Sequence, residues 1–86
     1  MSQMTEKIPY DRVCDFYNSE NIETIAYSDK LNILMVRFTN STEYRYYDVP
    51  MSIWAFVVSA ESVGKAFNKY VVRSDFRYEK VDRNDN

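Results

Sequence analysis

Tyr44-Arg45-Tyr46-Tyr47-Asp48-Val49-Pro50 is the stretch that decides the fold. Side chains alternate faces along a strand, so Tyr44 and Tyr46 share one face and Arg45 and Tyr47 the other. Val49-Pro50 then ends the strand, because proline cannot donate to a sheet ladder. It also opens a helix, whose first turn needs no donor at that position. The chain before this point must supply further strands, and the chain after it the helices that cover one face.

Both expectations are met in the sequence. Residues 21–28 read as a first strand, with Ile22, Thr24 and Ala26 on one face and Ile25 and Tyr27 on the other. Ser28-Asp29-Lys30 is a turn, residues 33–38 a second strand, Thr39-Asn40-Ser41-Thr42 another turn, and residues 43–49 the third strand. Short turns between successive strands make an antiparallel meander. Downstream, a helix from Pro50 or Met51 to Ser59 turns Ile53, Trp54, Val57 and Val58 inward. A second, from Val63 to at least Val72, buries Val63, Phe67, Tyr70 and Val71. Asp75-Phe76-Arg77-Tyr78 continues that helix or forms a fourth strand. Residues 79–86 are polar and are expected to fray. Residues 1–20 read as an N-terminal arm, with a short helix opening near Pro9 and presenting Ile8, Val13, Phe16 and Tyr17. The fold class is α+β: a three- to four-stranded antiparallel meander packed by two helices, with residues 21–78 as the domain.

Eighty-six residues make one domain. A chain this short buries only about 60–65% of its unfolded surface, so its core is thin. Disulfides, metals or partner subunits are the usual supplements. Cys14 is the only cysteine and there is no histidine, so an intrachain disulfide and the common zinc clusters are excluded. With 16% aromatic residues, the expectation is a homo-oligomer, dimer or tetramer, with the region of Trp54 or the arm in the contact. No apolar run approaches the ~20 residues of a membrane span, and Met1-Ser2-Gln3-Met4-Thr5-Glu6 is polar, so a cytoplasmic protein is expected.

The net charge is −2, which argues against a protein gripping long nucleic acid. The charge is unevenly placed. Residues 1–34 carry six acids against three bases, whereas residues 62–78 carry Lys65, Lys69, Arg73 and Arg77 against Asp75 alone. On a helix, steps of four residues drift only ~40°, so these cations form a stripe while the helix lasts. A local cationic patch suits a small anion.

The pattern Leu34-x-Val36-x-Phe38, Tyr44-x-Tyr46, Val49-Pro50, Ala60-x-Ser62-x-Gly64-Lys65, Phe67-Asn68 and Val72-Arg73 resembles the KTSC domain over residues 21–78. That domain is named for its appearance at the C-terminus of some lysyl-tRNA synthetases, and it also occurs alone in small bacterial and phage proteins. The chain departs from the family pattern at Ser41, where a glycine commonly follows the second strand, and at Phe76, where tyrosine is usual. The resemblance implies a compact α+β module and, from the synthetase setting, RNA binding. It implies no catalytic residues. Its stand-alone phage members suggest a sponge that sequesters a host nucleotide signal.

Each candidate residue has a structural reading beside its functional one. Tyr44 and Tyr46 either stack bases or pack half-buried against a helix. Arg45, on the opposite face, either contacts a ligand or pairs with a carboxylate across the sheet. Trp54 is a core or interface residue, or a stacking wall. Ser62 caps the second helix or, with Gly64 and Lys65, forms a small phosphate site at a helix N-terminus. Asn68 reads a base edge or caps. Lys65, Lys69, Arg73 and Arg77 either solvate an outer face or hold phosphates. Catalysis is not expected: there is no histidine, Cys14 sits in the arm, and Asp29 and Asp48 are single carboxylates in turns. The reading is a binding protein without catalysis, cofactor or metal, capturing a phosphate-bearing nucleotide of the cyclic dinucleotide kind. Such a protein acts as a sponge in phage anti-defence. The alternatives are an RNA-binding accessory module and a protein–protein interaction module.

Overall fold

In the computed structural model, which describes residues 8–81, the meander is longer than the sequence suggests. Five strands lie side by side in chain order, each antiparallel to the next. They are β1 (Arg12–Asp15), β2 (Ile22–Ser28), β3 (Ile33–Phe38), β4 (Glu43–Tyr46) and β5 (Tyr78–Val81). Helices α1 (Met51–Val58) and α2 (Val63–Tyr70) are inserted between β4 and β5, and a short 3-10 helix, Val72–Ser74, follows α2. The fold class is α+β, as the alternation and the helix starts imply.

The helices pack on one face of the sheet. Ile25 and Tyr27 of β2, Leu34 and Val36 of β3 and Tyr46 of β4 point toward them, meeting Trp54 and Val57 of α1 and Val63 and Phe67 of α2. Tyr27 and Trp54 stack with ring centroids 6.0 Å apart. One residue crosses faces relative to strict alternation. A β-bulge between Ile22 and Thr24 shifts the β2–β3 register, leaving Ile22 opposite Phe38 and Thr24 opposite Arg37. The extra residue turns Ile22 into the core cluster with Ile25 and Tyr27, away from Thr24 and Ala26.

Three further expectations are corrected. The arm does not form a helix near Pro9: residues 12–15 are an edge strand on β2, with Cys14 opposite Ile25. Four residues of alternating pattern are short enough to be taken for part of a helical turn. Before β1 the chain passes over the sheet face that lacks helices. There Tyr10 is half-buried beside Arg45, and burial pushes its phenol above the ordinary value although Arg45 opposes this. β4 stops at Tyr46 and does not reach Val49. Asp48 takes a left-handed φ of 59°, and Val49 donates its N–H to the Asn32 carbonyl. The fourth-strand reading of residues 75–78 and the fraying from residue 79 give way to β5. Asp75, at φ 65°, stops the helical path, and Tyr78 to Val81 pair with β4. The remainder of the expected tail and the start of the arm lie outside the described residues.

Ser41 has φ 74°, the region where glycine is at ease, and its N–H is donated to the Phe38 carbonyl. The turn geometry is therefore kept with a residue that pays a steric cost for it.

Candidate functional site

The loop joining β1 to β2 stands opposite the start of α2, and the two enclose an open groove of about 1040 Å³. The bulge places Ile22 at its floor beside Phe38 and Phe67. One wall is the β1–β2 loop, where Tyr17 is 90% exposed and Asn18 and Asn21 also line the groove. Ser19 Oγ accepts from the Ile22 N–H at 3.1 Å, and Thr39 Oγ1 donates to the Glu20 carbonyl at 3.2 Å, so the second half of this loop is tied to the start of β2 and to the turn after β3.

The other wall is the α1–α2 junction and the first turns of α2. Ser62 is the N-cap, and its Oγ accepts from the Lys65 N–H at 3.4 Å. The first turn of α2 holds no acid. A Cβ placed on Gly64 would meet nothing within 4 Å, so this glycine leaves open space in the groove rather than accommodating another part of the chain. Asn68 and Val72, one turn apart, continue the wall.

Of the residues singled out in the sequence, the structure thus brings Ser62, Gly64, Lys65 and Asn68 together. The others lie elsewhere. Tyr46 and Trp54 are core residues, 7% and 8% exposed, so neither offers a ring face to a ligand. Tyr46 packs edge-on against Phe67 and tilted against Tyr78, and burial pushes its phenol above the ordinary value, with Tyr78 and Tyr44 adding to the effect. Tyr44 is half-buried, edge-on to Phe38. Arg45 faces the opposite side of the sheet, 3.5 Å from Glu79.

The cation stripe is only partly realised. Lys69 leans over the Tyr70 ring at 5.4 Å, and Arg73 is exposed in the 3-10 helix. Neither lines the groove. Arg77 leaves the stripe, because Asp75 redirects the chain. Its guanidinium sits 4.6 Å over the Tyr47 ring, and the Tyr47 hydroxyl bonds Glu79 at 2.9 Å.

Sequence reasoning missed Tyr17 and Asn18, since it assigned residues 1–20 to an arm, and Asn21, since it began the first strand there. The signal was present: Asn18-Ser19-Glu20-Asn21 is turn-forming sequence between two short alternating segments. It also missed the local charge. Glu20 and Glu61 line the groove against Lys65 alone; Asp15 borders it, but its carboxylate accepts a hydrogen bond from Thr24 Oγ1 at 2.9 Å, on the sheet face away from the helices. Among the described residues no group of His, Cys, Asp or Glu is arranged to hold a metal ion, and no helix is long and apolar enough to cross a membrane.

Comparison with known proteins agrees with this architecture. An uncharacterised protein of Stutzerimonas stutzeri (strain A1501) is 30% identical over 64 residues, covering 74% of this chain and 90% of that protein. A protein of Tsukamurella paurometabola is 37% identical over 59 residues, covering 69% and 87%. The crystal structure of a KTSC domain protein from Yersinia pestis superimposes with a TM-score of 0.73 at 25% identity, over 83% of this chain and 97% of that one. The KTSC domain family model matches residues 18–82, from the groove's loop through β5, and the chain belongs to that family.

Proposed function

We propose that this protein is a non-catalytic binding module whose ligand seats in the groove between the β1–β2 loop and the start of α2. The ligand is a small phosphate-bearing nucleotide of the cyclic dinucleotide kind. The observation that supports this reading is the placement of the exposed Tyr17 ring across one groove from Ser62, Gly64 and Lys65. A flat base stacks on Tyr17, while a phosphate takes the free N–H groups at the start of α2 and the Lys65 ammonium. Asn18, Asn21 and Asn68 offer paired donors and acceptors to base edges. The carboxylates of Glu20 and Glu61 in the lining keep the number of phosphates small. Binding without turnover lowers the free ligand, which is how a sponge for a nucleotide immune signal acts in anti-defence.

A second reading draws on Lys65, Lys69 and Arg73. Lys65 and Lys69 are ~6 Å apart along α2, and the exposed Arg73 follows in the 3-10 helix, a run of cations that suits several phosphates of an extended RNA strand. The two readings separate experimentally. A thermal-shift screen of mono-, di- and cyclic dinucleotides is run beside short RNA, followed by titration at several salt concentrations. For the groove, Tyr17→Ala costs about 1–3 kcal/mol of binding and Lys65→Ala about 1.5–3, while Arg73→Ala binds normally. If no nucleotide shifts the melting curve, and RNA binds with a salt slope near −0.7 per phosphate and is weakened by Arg73→Ala, the RNA reading replaces it.

A further inference from the structure

β1 is an open edge. It is the first strand of the sheet, and among the described residues only β2 pairs with it. The Phe16 N–H is donated to the Glu23 carbonyl, and the register pairs Cys14 with Ile25 and Arg12 with Tyr27. In an antiparallel ladder the bonded positions alternate, so Arg12, Cys14 and Phe16 spend their backbone groups on β2. The N–H and C=O groups of Val13 and Asp15 therefore point away from the sheet. β1 contains no proline and no bulge, and the Val13 side chain is 61% exposed. Such an edge is a template for another strand.

We propose that β1 pairs antiparallel with β1 of a second copy of this chain, in the register that places Cys14 opposite the partner's Cys14. The register follows from charge. A two-fold axis normal to the sheet allows pairings centred on residue 12, 13, 14 or 15. Centred on Arg12, it sets Arg12 against the partner's Arg12. Centred on Val13, it brings the partner's Asp15 up to Asp11, another acid, whose N–H is already donated to the Tyr27 carbonyl and whose carboxylate accepts the Asp29 N–H, so that pair adds no ladder bond. Centred on Asp15, it sets Asp15 against the partner's Asp15. Like charges directly opposite are unfavourable. Centred on Cys14, Val13 faces the partner's Asp15, Arg12 faces the partner's Phe16, and no like charges are opposed. The same register joins the outward groups of Val13 and Asp15 to those of the partner in four hydrogen bonds. The result is a continuous ten-stranded sheet.

The pairing bears on the groove. Arg12, Cys14 and Phe16 share the helix-side face of β1, and Phe16 lines the groove. The partner's Arg12, opposite Phe16, adds a second cation beside a lining that otherwise holds Lys65 alone against Glu20 and Glu61. This consequence rests on the proposed groove function. The pairing itself does not.

The test uses the full chain in sedimentation equilibrium, with two substitutions at the exposed Val13. Val13→Asp sets a carboxylate against the partner's Asp15 twice per dimer, whereas Val13→Lys sets an ammonium there. The expected result is a wild-type dimer, roughly tenfold weaker association for Val13→Asp, and undiminished association for Val13→Lys. Both substitutions fall at the same exposed position, and circular dichroism with thermal melting checks that each variant is folded before association is compared. A residue pair at an unbonded antiparallel position has Cα atoms about 4.5 Å apart, within disulfide range. Diamide, which takes up the two electrons and two protons, should therefore link Cys14 to the partner's Cys14 in wild type, and no link should form in Cys14→Ser. A monomer at high micromolar concentration overturns the proposal. So does a dimer that responds equally to both Val13 substitutions, or a dimer that diamide does not link. Nucleotide titration of the monomeric Val13→Asp variant then examines the groove independently of the pairing.

Discussion

Removing one oxygen from the core, by Tyr27→Phe, tests how the strand-to-helix junction is held. Tyr27 is fully buried in β2. Its hydroxyl donates to the Val49 carbonyl at 2.5 Å and accepts from Asn32 Nδ2 at 2.9 Å. Asn32 closes the ring of contacts by accepting the Val49 N–H at 2.9 Å through its own carbonyl. Phenylalanine keeps the stack on Trp54 and removes only the polar atom. The net loss of one hydrogen bond is about 1 kcal/mol, and a buried carbonyl left without a donor adds about 1–2 kcal/mol. The sum, about 2–3 kcal/mol, corresponds to a fall in Tm of roughly 10–15 °C for a domain of this size. Urea unfolding monitored by circular dichroism should show a lower midpoint with an unchanged slope, since the buried surface is the same. Asn32→Gly tolerates the φ of 55° at that position and removes the amide partner. Its effect should be strongly non-additive with Tyr27→Phe. A loss below about 0.5 kcal/mol for Tyr27→Phe would show that the hydroxyl is dispensable and that the junction is held by backbone bonds alone.

The fold was legible wherever one local rule decided the outcome. Alternation in residues 33–38 identifies β3, and Pro50 identifies the start of α1, whereas the end of β4 at Tyr46, before the left-handed Asp48, was not visible in the Val49-Pro50 stop. Ser62 fixes the start of α2 as its cap. Period-four spacing of Val63, Phe67 and Val71 identifies the buried side of α2. What failed depends on partners distant in sequence. β1 is a strand because β2 offers it a ladder, and β5 is one because β4 does. Four residues carry too little pattern to announce either. The bulge at residues 22–24 is likewise a property of pairing, and it alone moves Ile22 across the sheet.

The site was half legible for a related reason. Helix caps and cations are local, so Ser62, Gly64, Lys65 and Asn68 were visible. Which aromatic rings face outward is a tertiary matter. The Tyr-x-Tyr pair and Trp54 share the composition of a stacking surface, yet α1 and α2 cover that face of the sheet, and the rings fill the thin core of a small domain. The exposed ring is instead Tyr17, in a loop whose position depends on β1.

Three further outcomes follow from particular residues. Ser41→Gly should raise stability by about 0.5–1 kcal/mol, read as a higher Tm, because Ser41 holds a φ of 74° that glycine adopts without steric cost; an unchanged or lower Tm would show that the turn does not strain serine. Tyr10 and Tyr46 have phenols raised above the model-peptide value of 10.0, so the folded state favours their neutral forms. Their contribution is fully present below pH 10 and is lost as pH rises from 10 through the raised folded values. Melting between neutral and strongly alkaline pH should show this loss, and Tyr46→Phe should make it smaller. Gly64→Ala separates stability from binding. The added methyl meets no atom of the chain and falls inside α2, where alanine is favoured over glycine by up to about 1 kcal/mol, so the unliganded protein should melt at the same or a higher temperature. The same methyl projects into space beside Ser62 and Lys65 that a phosphate would occupy, so nucleotide affinity should fall at least tenfold, about 1.4 kcal/mol. A variant that melts higher and still binds at full strength would show that the ligand does not approach the backbone at the start of α2, and the phosphate would have to be placed elsewhere in the groove.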